Sequence, residues 1–231
     1  MMLHVCLLVT ALALALAGSA AAQERLVSLP APEGISLFER ASEKAGFWPL
    51  MATFVSQNTQ SYCGIASSVM ALNALGVSPP PAPLWYPYPH WDQTNIFTLA
   101  VLQVKAANSV EAEGLTVAEL ARVLVASGAR AKPVFAGDTD LAAFRAAARQ
   151  VLANPAAVLL VNYFRATLGQ GEGGHISPAA AYNAEADSFL LLDVARYKYK
   201  PTWIPADLLF AAMNTVDPSS HKTRGYVVVR K

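Results

Sequence analysis

The texture of the chain changes at Pro155, and that change limits the folds open to it. Ahead of it, apolar residues recur at helical spacing over 116–126 and 139–152, and further helices are expected over 36–45, where Ser36 and Glu39 form a capping-box pattern, and over 94–107. A short strand is expected over 131–135. Behind Pro155, residues 156–163 (AAVLLVNY) form a nearly continuous apolar run of strand length. Residues 175–183, 188–194 and 225–230 read as further strands, 185–187 as a hairpin turn, and 205–213 as a helix between the last two strands. Helices first and an antiparallel sheet afterwards predict an α+β protein with two lobes. Within the helical part, after the stretch that ends at Gly76, lies 78–91, with six prolines and four Trp or Tyr residues. Such a segment forms neither a helix nor a central strand, and the aromatics suit a wall or lid over a cleft, or a dimer surface.

A net charge of +1 with no basic run gives no footprint for nucleic acid or an anionic membrane surface. The first 22 residues read as a signal peptide: an apolar run from Val5 to Ala17, then small residues ending at Ala22. The mature domain is then 23–231, an exported protein placed in the periplasm. Cleavage removes Cys6 and leaves Cys63 as the sole cysteine, so no internal disulfide forms. An unpaired thiol in an oxidising compartment is either buried or used.

Cys63 stands in the stretch 56–75 (SQNTQSYCGIASSVMALNAL), a polar loop entering an amphipathic helix with Ile65, Val69, Leu72 and Leu75 on its apolar face. A cysteine in a first helical turn meets unpaired N–H groups and the positive end of the helix dipole, which favour thiolate. A cysteine nucleophile also needs a base and a group to orient the base. His90 and His221 lie in loop-like sequence, whereas His175 begins a strand behind a glycine-rich loop, residues 169–174. Asp193 lies within the apolar strand 188–194, followed by Val194 and Ala195, where a carboxylate is costly without a partner. An odd-numbered hairpin loop would bring His175 and Asp193 to one face. The roles expected are nucleophile for Cys63, base and then acid for His175, and orienting carboxylate for Asp193. Gln57, with Gln60 as competitor, is the expected oxyanion donor beside the Cys63 N–H.

The blocks SQNTQSYCGIASSVMALNALG, VNYFRATLGQGEGGHISPAAAYN, FLLLDVARYKYKPTWIP and MNTVDPSSHKTRGYVVV resemble those of the phytochelatin synthases, and more closely their short bacterial relatives. The resemblance implies a papain-like cysteine-protease fold, with a helical lobe carrying the nucleophile and an antiparallel β lobe. It implies γ-glutamylcysteine acyl transfer on glutathione, with hydrolysis dominant. It assigns Gln57 to the oxyanion, Gly174 and Ile176 to the acyl site, and Asp217 and Arg224 to the glutamyl amino and carboxylate groups. Arg165, Arg196 and Lys198 would serve a second, acceptor glutathione. No cofactor is implied for hydrolysis; Cd²⁺ or Zn²⁺ would enter as a glutathione thiolate or as an activator, and a homodimer is compatible. The competing readings are a cysteine peptidase cutting a glycine-rich leader and a non-catalytic periplasmic metal- or thiol-binding protein. One cysteine and scattered histidines make a poor soft-metal site.

Overall fold

The computed structural model describes residues 20–231. The expected leader falls outside these residues except for Ala20, Ala21 and Ala22, which are helical, with Ala22 packed into the core. The strands are β1 (Val27–Ser28), β2 (Arg130–Phe135), β3 (Ala157–Phe164), β4 (Gly174–Asn183), β5 (Ser188–Leu191), β6 (Thr202–Pro205), β7 (Val216–Asp217), β8 (Lys222–Thr223) and β9 (Gly225–Arg230). Seven of them form one sheet in the order β1-β6-β5-β4-β3-β9-β2, every neighbouring pair antiparallel. β7 and β8 pair separately.

The run 156–163 is apolar throughout because β3 lies in the middle of this sheet and both its faces are covered. Val158 and Leu160 join one core with the helices Cys63–Ala74 and Val117–Ala126; Leu159, Val161 and Tyr163 join a second with the helices Leu141–Leu152 and Ala206–Met213. Fully burying one such Leu or Val side chain stabilises the fold by about 1.5–3 kcal/mol. The architecture is therefore mixed α+β as expected, but its helices are not set apart in one lobe. They sandwich the sheet, because a sheet apolar on both faces needs two covers.

Local expectations fare unequally. The helices Val117–Ala126, with a complete Thr116/Glu119 capping box, and Leu141–Leu152, capped by Asp140, form where periodicity placed them. The helix expected over 36–45 instead spans Pro32–Arg40, with proline in its first turn and Ser36 in its interior. Proline pre-sets φ for a first turn, which outweighs the Ser36/Glu39 pattern. The helix expected over 94–107 is two short ones, Leu99–Leu102 and Ala107–Glu113. Asp92 Oδ1 accepts from the N–H groups of Thr94 and Asn95 (2.7 and 2.8 Å), a local turn that competes with helix. β1 and β6, only two and four residues long, were not foreseen.

The proline-rich stretch holds a single 3₁₀ turn, Pro83–Trp85. Trp91 is buried, its indole N–H donating to Val77 O (2.8 Å), while Trp85, Tyr86 and Tyr88 are exposed. None of its described side chains lines the cleft that holds Cys63. Among the described residues no helix is long and apolar enough to cross a membrane.

Candidate functional site

Cys63 is the first residue of its helix, following Tyr62. The helix is not amphipathic as expected but buried nearly all round, between the sheet and the helices Phe47–Ala52 and Val117–Ala126. Its two serines are satisfied internally: Ser67 Oγ donates to Ile176 O (3.0 Å) and Ser68 Oγ to Gly64 O (2.7 Å). Ser67 thus ties the helix to β4 next to His175. A Cβ at Gly64 would come within 2.9 Å of Leu115 and 3.2 Å of Ile176, so glycine is what lets the helix approach these cleft-lining side chains.

His175 and Asp193 come to one face by a route different from the one expected. The loop between Asn183 and Ser188 has four residues, an even number, and the register it sets would turn Asp193 to the opposite face from His175. A bulge restores the match: Ala181 pairs with Leu190 but Ala179 with Leu191, so Ala180 is extra. Continued past the bulge, the register sets Asp193 opposite Ser177, diagonal to His175, and Val194 N–H donates to Ser177 Oγ (3.3 Å). Asp193 lies two residues beyond the end of β5 yet is only 3% exposed.

The charges are closely linked. His175 Nε2 lies 2.9 Å from Asp193 Oδ1, off the line of an ideal N–H···O bond, and the ring also contacts the Cys63 thiol. Burial alone would push the Cys63 thiol up; the hydrogen bond and charge of His175, with backbone hydrogen bonds at Ile176 and Gly64, outweigh it and bring the thiol below its ordinary value. Burial would likewise lower the His175 imidazole, but Asp193 first and Cys63 second raise it. At Asp193, burial is overcome by His175, Arg165 and the Ala195 N–H, which hold the carboxyl at about 2. These directions favour a thiolate–imidazolium pair.

Arg165, expected at an acceptor site, lies against Asp193. Its guanidinium is buried, 2.8 Å from Asp193 Oδ2 and 3.0 Å from Oδ1, donates to Gln170 Oε1 (2.6 Å) and stacks on Tyr199 (4.4 Å). A buried carboxylate shared with one histidine needs a second cation, and Arg165 supplies it. Arg196 is also occupied elsewhere, donating to Phe54 O (3.0 Å) above the Phe54 ring. Lys198 reaches Gln60 Oε1 (3.3 Å) at the rim.

A cleft of about 290 Å³ opens beside Cys63 and His175. Gly174, Ile176, Asp217 and Arg224 line it, so the structure brings these four expected residues together. Arg224 is buried over the Phe164 ring (5.1 Å), donates to Thr215 Oγ1 (3.0 Å) and Val216 O (2.9 Å), and keeps its Nε without a partner. Burial lowers its pKa below the ordinary arginine value, against the charge of Asp217. Asp217 Oδ1 accepts from Ser219 N–H (3.0 Å); among the described residues it forms no ion pair with Arg224.

Gln60 lines the cleft and Gln57 does not. Gln57 Nε2 donates to Thr59 O (2.8 Å) and to the Tyr197 hydroxyl (3.2 Å), and its Oε1 is buried without a partner. Sequence reasoning missed Asn162, which lines the cleft opposite Ile176, is 3% exposed and has an unpartnered Oδ1. The only available signal was a lone polar residue in the apolar run of β3. No group of three or more His, Cys, Asp or Glu side chains among the described residues forms a metal site.

Fold and site together define a mixed α+β protein in which a cysteine at a helix start meets a buried histidine and carboxylate at the edge of a polar cleft. Comparison with known proteins makes the assignment specific. The phytochelatin synthase family model matches residues 19–226, and the chain belongs to that family. It is 34% identical over 208 residues to glutathione gamma-glutamylcysteinyltransferase 1 of Triticum aestivum, covering 89% of this chain and 40% of that protein. Glutathione gamma-glutamylcysteinyltransferase 1 of Arabidopsis thaliana is 32% identical over 216 residues, 88% of this chain and 43% of the relative. The corresponding protein 3 of Lotus japonicus is 31% identical over 209 residues, with shares of 89% and 42%. The chain spans less than half the length of these relatives.

Proposed function

We propose that the protein transfers the γ-glutamylcysteinyl group of glutathione through a thioester on Cys63, within a papain-like frame, and that water is the main acceptor. The carrying observation is the cleft itself: the thiol stands at one part of its wall, while Asp217 and Arg224 stand together without neutralising each other. A γ-glutamyl head is a zwitterion, and an unpaired carboxylate beside a guanidinium with a free Nε is its simplest complement. Asn162 Oδ1 would accept an N–H of the bound dipeptide.

In this reading the Cys63 thiolate attacks the carbonyl carbon of the cysteinyl–glycine amide. The tetrahedral oxyanion is met by the Cys63 N–H and by Gln57, whose amide exchanges its longer bond, to Tyr197, for the oxyanion. The C–N bond breaks, the imidazolium of His175 gives its proton to the departing glycine nitrogen, and a thioester remains. His175 then takes a proton from water, which attacks the thioester to give γ-Glu-Cys and return the thiol. The amine of a second glutathione in place of water gives (γ-Glu-Cys)₂-Gly. Cd²⁺ or Zn²⁺ would arrive on a glutathione thiolate as part of the substrate. Export to the periplasm rests on the apolar run and small residues of 1–22, and a homodimer on the exposed aromatics near Trp85.

The direct test is mass spectrometry of residues 23–231 with reduced glutathione, with and without Cd²⁺. Glycine and γ-Glu-Cys are expected as the main products; absence of glycine under both conditions refutes the proposal. The head-group assignment has its own test in Gly174→Ala. The added Cβ would stand 3.1 Å from Arg224 Nε and Nη2, so the guanidinium must shift by a few tenths of an ångström and its Nε is crowded. We expect KM for glutathione to rise about tenfold, the effect of a lost hydrogen bond to a charged group, with kcat little changed. A fall in kcat at unchanged KM would argue against the assignment of Arg224.

A further inference from the structure

The segment carrying Gln57 is gripped by a side chain that the reaction as described does not use. Gln93 is 8% exposed and reaches across from the turn that follows the proline-rich stretch. Its Nε2 donates to Ser56 O (2.8 Å) and its Oε1 accepts from Asn58 N–H (2.9 Å). The one carboxamide thus binds the backbone on both sides of Gln57, as a neighbouring strand would. Gln57 contributes its own N–H to Val194 O (2.9 Å), on the residue that follows Asp193. The oxyanion segment is therefore fixed between the chain bearing Asp193 and the side chain of Gln93.

Gln93 is itself held firmly. Its turn is closed by Asp92 Oδ1, which accepts from Thr94 and Asn95 N–H, and by Asn95 Oδ1, which accepts from Asp92 N–H (2.9 Å). Trp91, two residues earlier, is anchored to the Cys63–Ala74 helix by both ends of the Asn73 carboxamide (2.8 and 2.9 Å). The Gln57 segment thus takes its position from the helix that begins with the thiol. An oxyanion donor is effective only when held in place before charge develops.

We propose that Gln93 is a positioning residue for the reaction, acting through Gln57 to set the oxyanion donor relative to Cys63. The inference rests on the acyl-transfer reading above and on Gln57 as donor. It gives the turn that follows the proline-rich stretch a role: Gln93 braces the Gln57 segment from behind. Gln93 is not among the residues that line the cleft, so its removal should leave the glutamyl head site intact and affect turnover alone.

The test is a double-mutant cycle on glycine release with wild type, Gln57→Ala, Gln93→Leu and the double variant, thermal unfolding being followed in parallel. Gln93→Leu is expected to lower kcat by about 100-fold, the scale of a misplaced catalytic group, with KM unchanged. In the Gln57→Ala background the same substitution should cost less than about threefold, because there is no donor left to misplace. Should Gln93→Leu fail to fold, Gln93→Glu carries the test. It keeps the Asn58 bond, sets a carboxylate against Ser56 O, and should reproduce the kcat loss and its disappearance without Gln57. Wild-type kcat in the Gln93 variant, or an equal loss with and without Gln57, overturns the inference while leaving the acyl-transfer reading in place. If Gln57→Ala is as fast as wild type, the oxyanion role of Gln57 fails and this inference with it.

Discussion

Replacing Cys63 by serine is expected to reduce glycine release from glutathione by at least about 10⁴-fold, the usual cost of losing a nucleophile from a base-assisted site. In the wild-type protein the same reaction should follow a bell-shaped pH profile. In the proposed mechanism the reactive pair is thiolate with imidazolium, as favoured by a thiol held below its ordinary value and an imidazole held above its own. kcat/KM therefore rises as pH climbs through the lowered thiol pKa and falls as pH passes the raised imidazole pKa; both limbs belong to the coupled pair. Alkylation of Cys63 by iodoacetamide provides a measure independent of substrate. It should remain fast on the acid side of the free-thiol range in wild type and lose that acid-side reactivity in His175→Ala. A wild-type alkylation profile with an apparent pKa near 9 would refute the ion pair.

The second large effect is expected at Arg165. With Arg165→Met, Asp193 stays buried with His175, the Ala195 N–H and the Tyr163 hydroxyl (3.3 Å) but loses its closest permanent cation. Breaking a buried pair from one side typically costs about 3–5 kcal/mol. Against a total stability of about 5–15 kcal/mol for a native protein, this is visible in urea unfolding. The acceptor-site role expected from sequence makes the opposite forecast: unchanged stability and a loss confined to (γ-Glu-Cys)₂-Gly formation. The carboxyl supplies a further readout. Held at about 2 in the folded protein against an ordinary 3.8, Asp193 stabilises the fold fully above pH 3.8, and that contribution fades as pH falls toward 2. In the Met variant the Asp193 pKa should move up and the acid unfolding midpoint with it.

Several site features were legible because each is a local conflict. A single cysteine at a helix start, a histidine closing a glycine-rich loop and a carboxylate within an apolar strand are residues that ordinary packing does not ask for. Arg224 and Asp217 were reachable only through family resemblance, since an arginine ahead of a strand is otherwise unremarkable; in the fold both line one cleft. The resemblance gave Arg165 to an acceptor glutathione, and nothing in the local sequence marks that its partner in the fold is Asp193, across the chain.

Sequence by itself determined the elements whose signals lie within a dozen residues: the buried strand at 157–164, the capped helices, and the helix start at Cys63. Tertiary structure alone decided which of their faces meet. The even hairpin loop would have turned Asp193 away from His175, and the extra residue at Ala180 corrected it. Side-chain direction alternates with a period of two, so a single unpaired residue reverses it, and bulges carry no fixed sequence signal. The same holds for Gln93 on Gln57 and Arg165 on Asp193: hydrogen bonds between residues distant in sequence are chosen by the packing that brings them together.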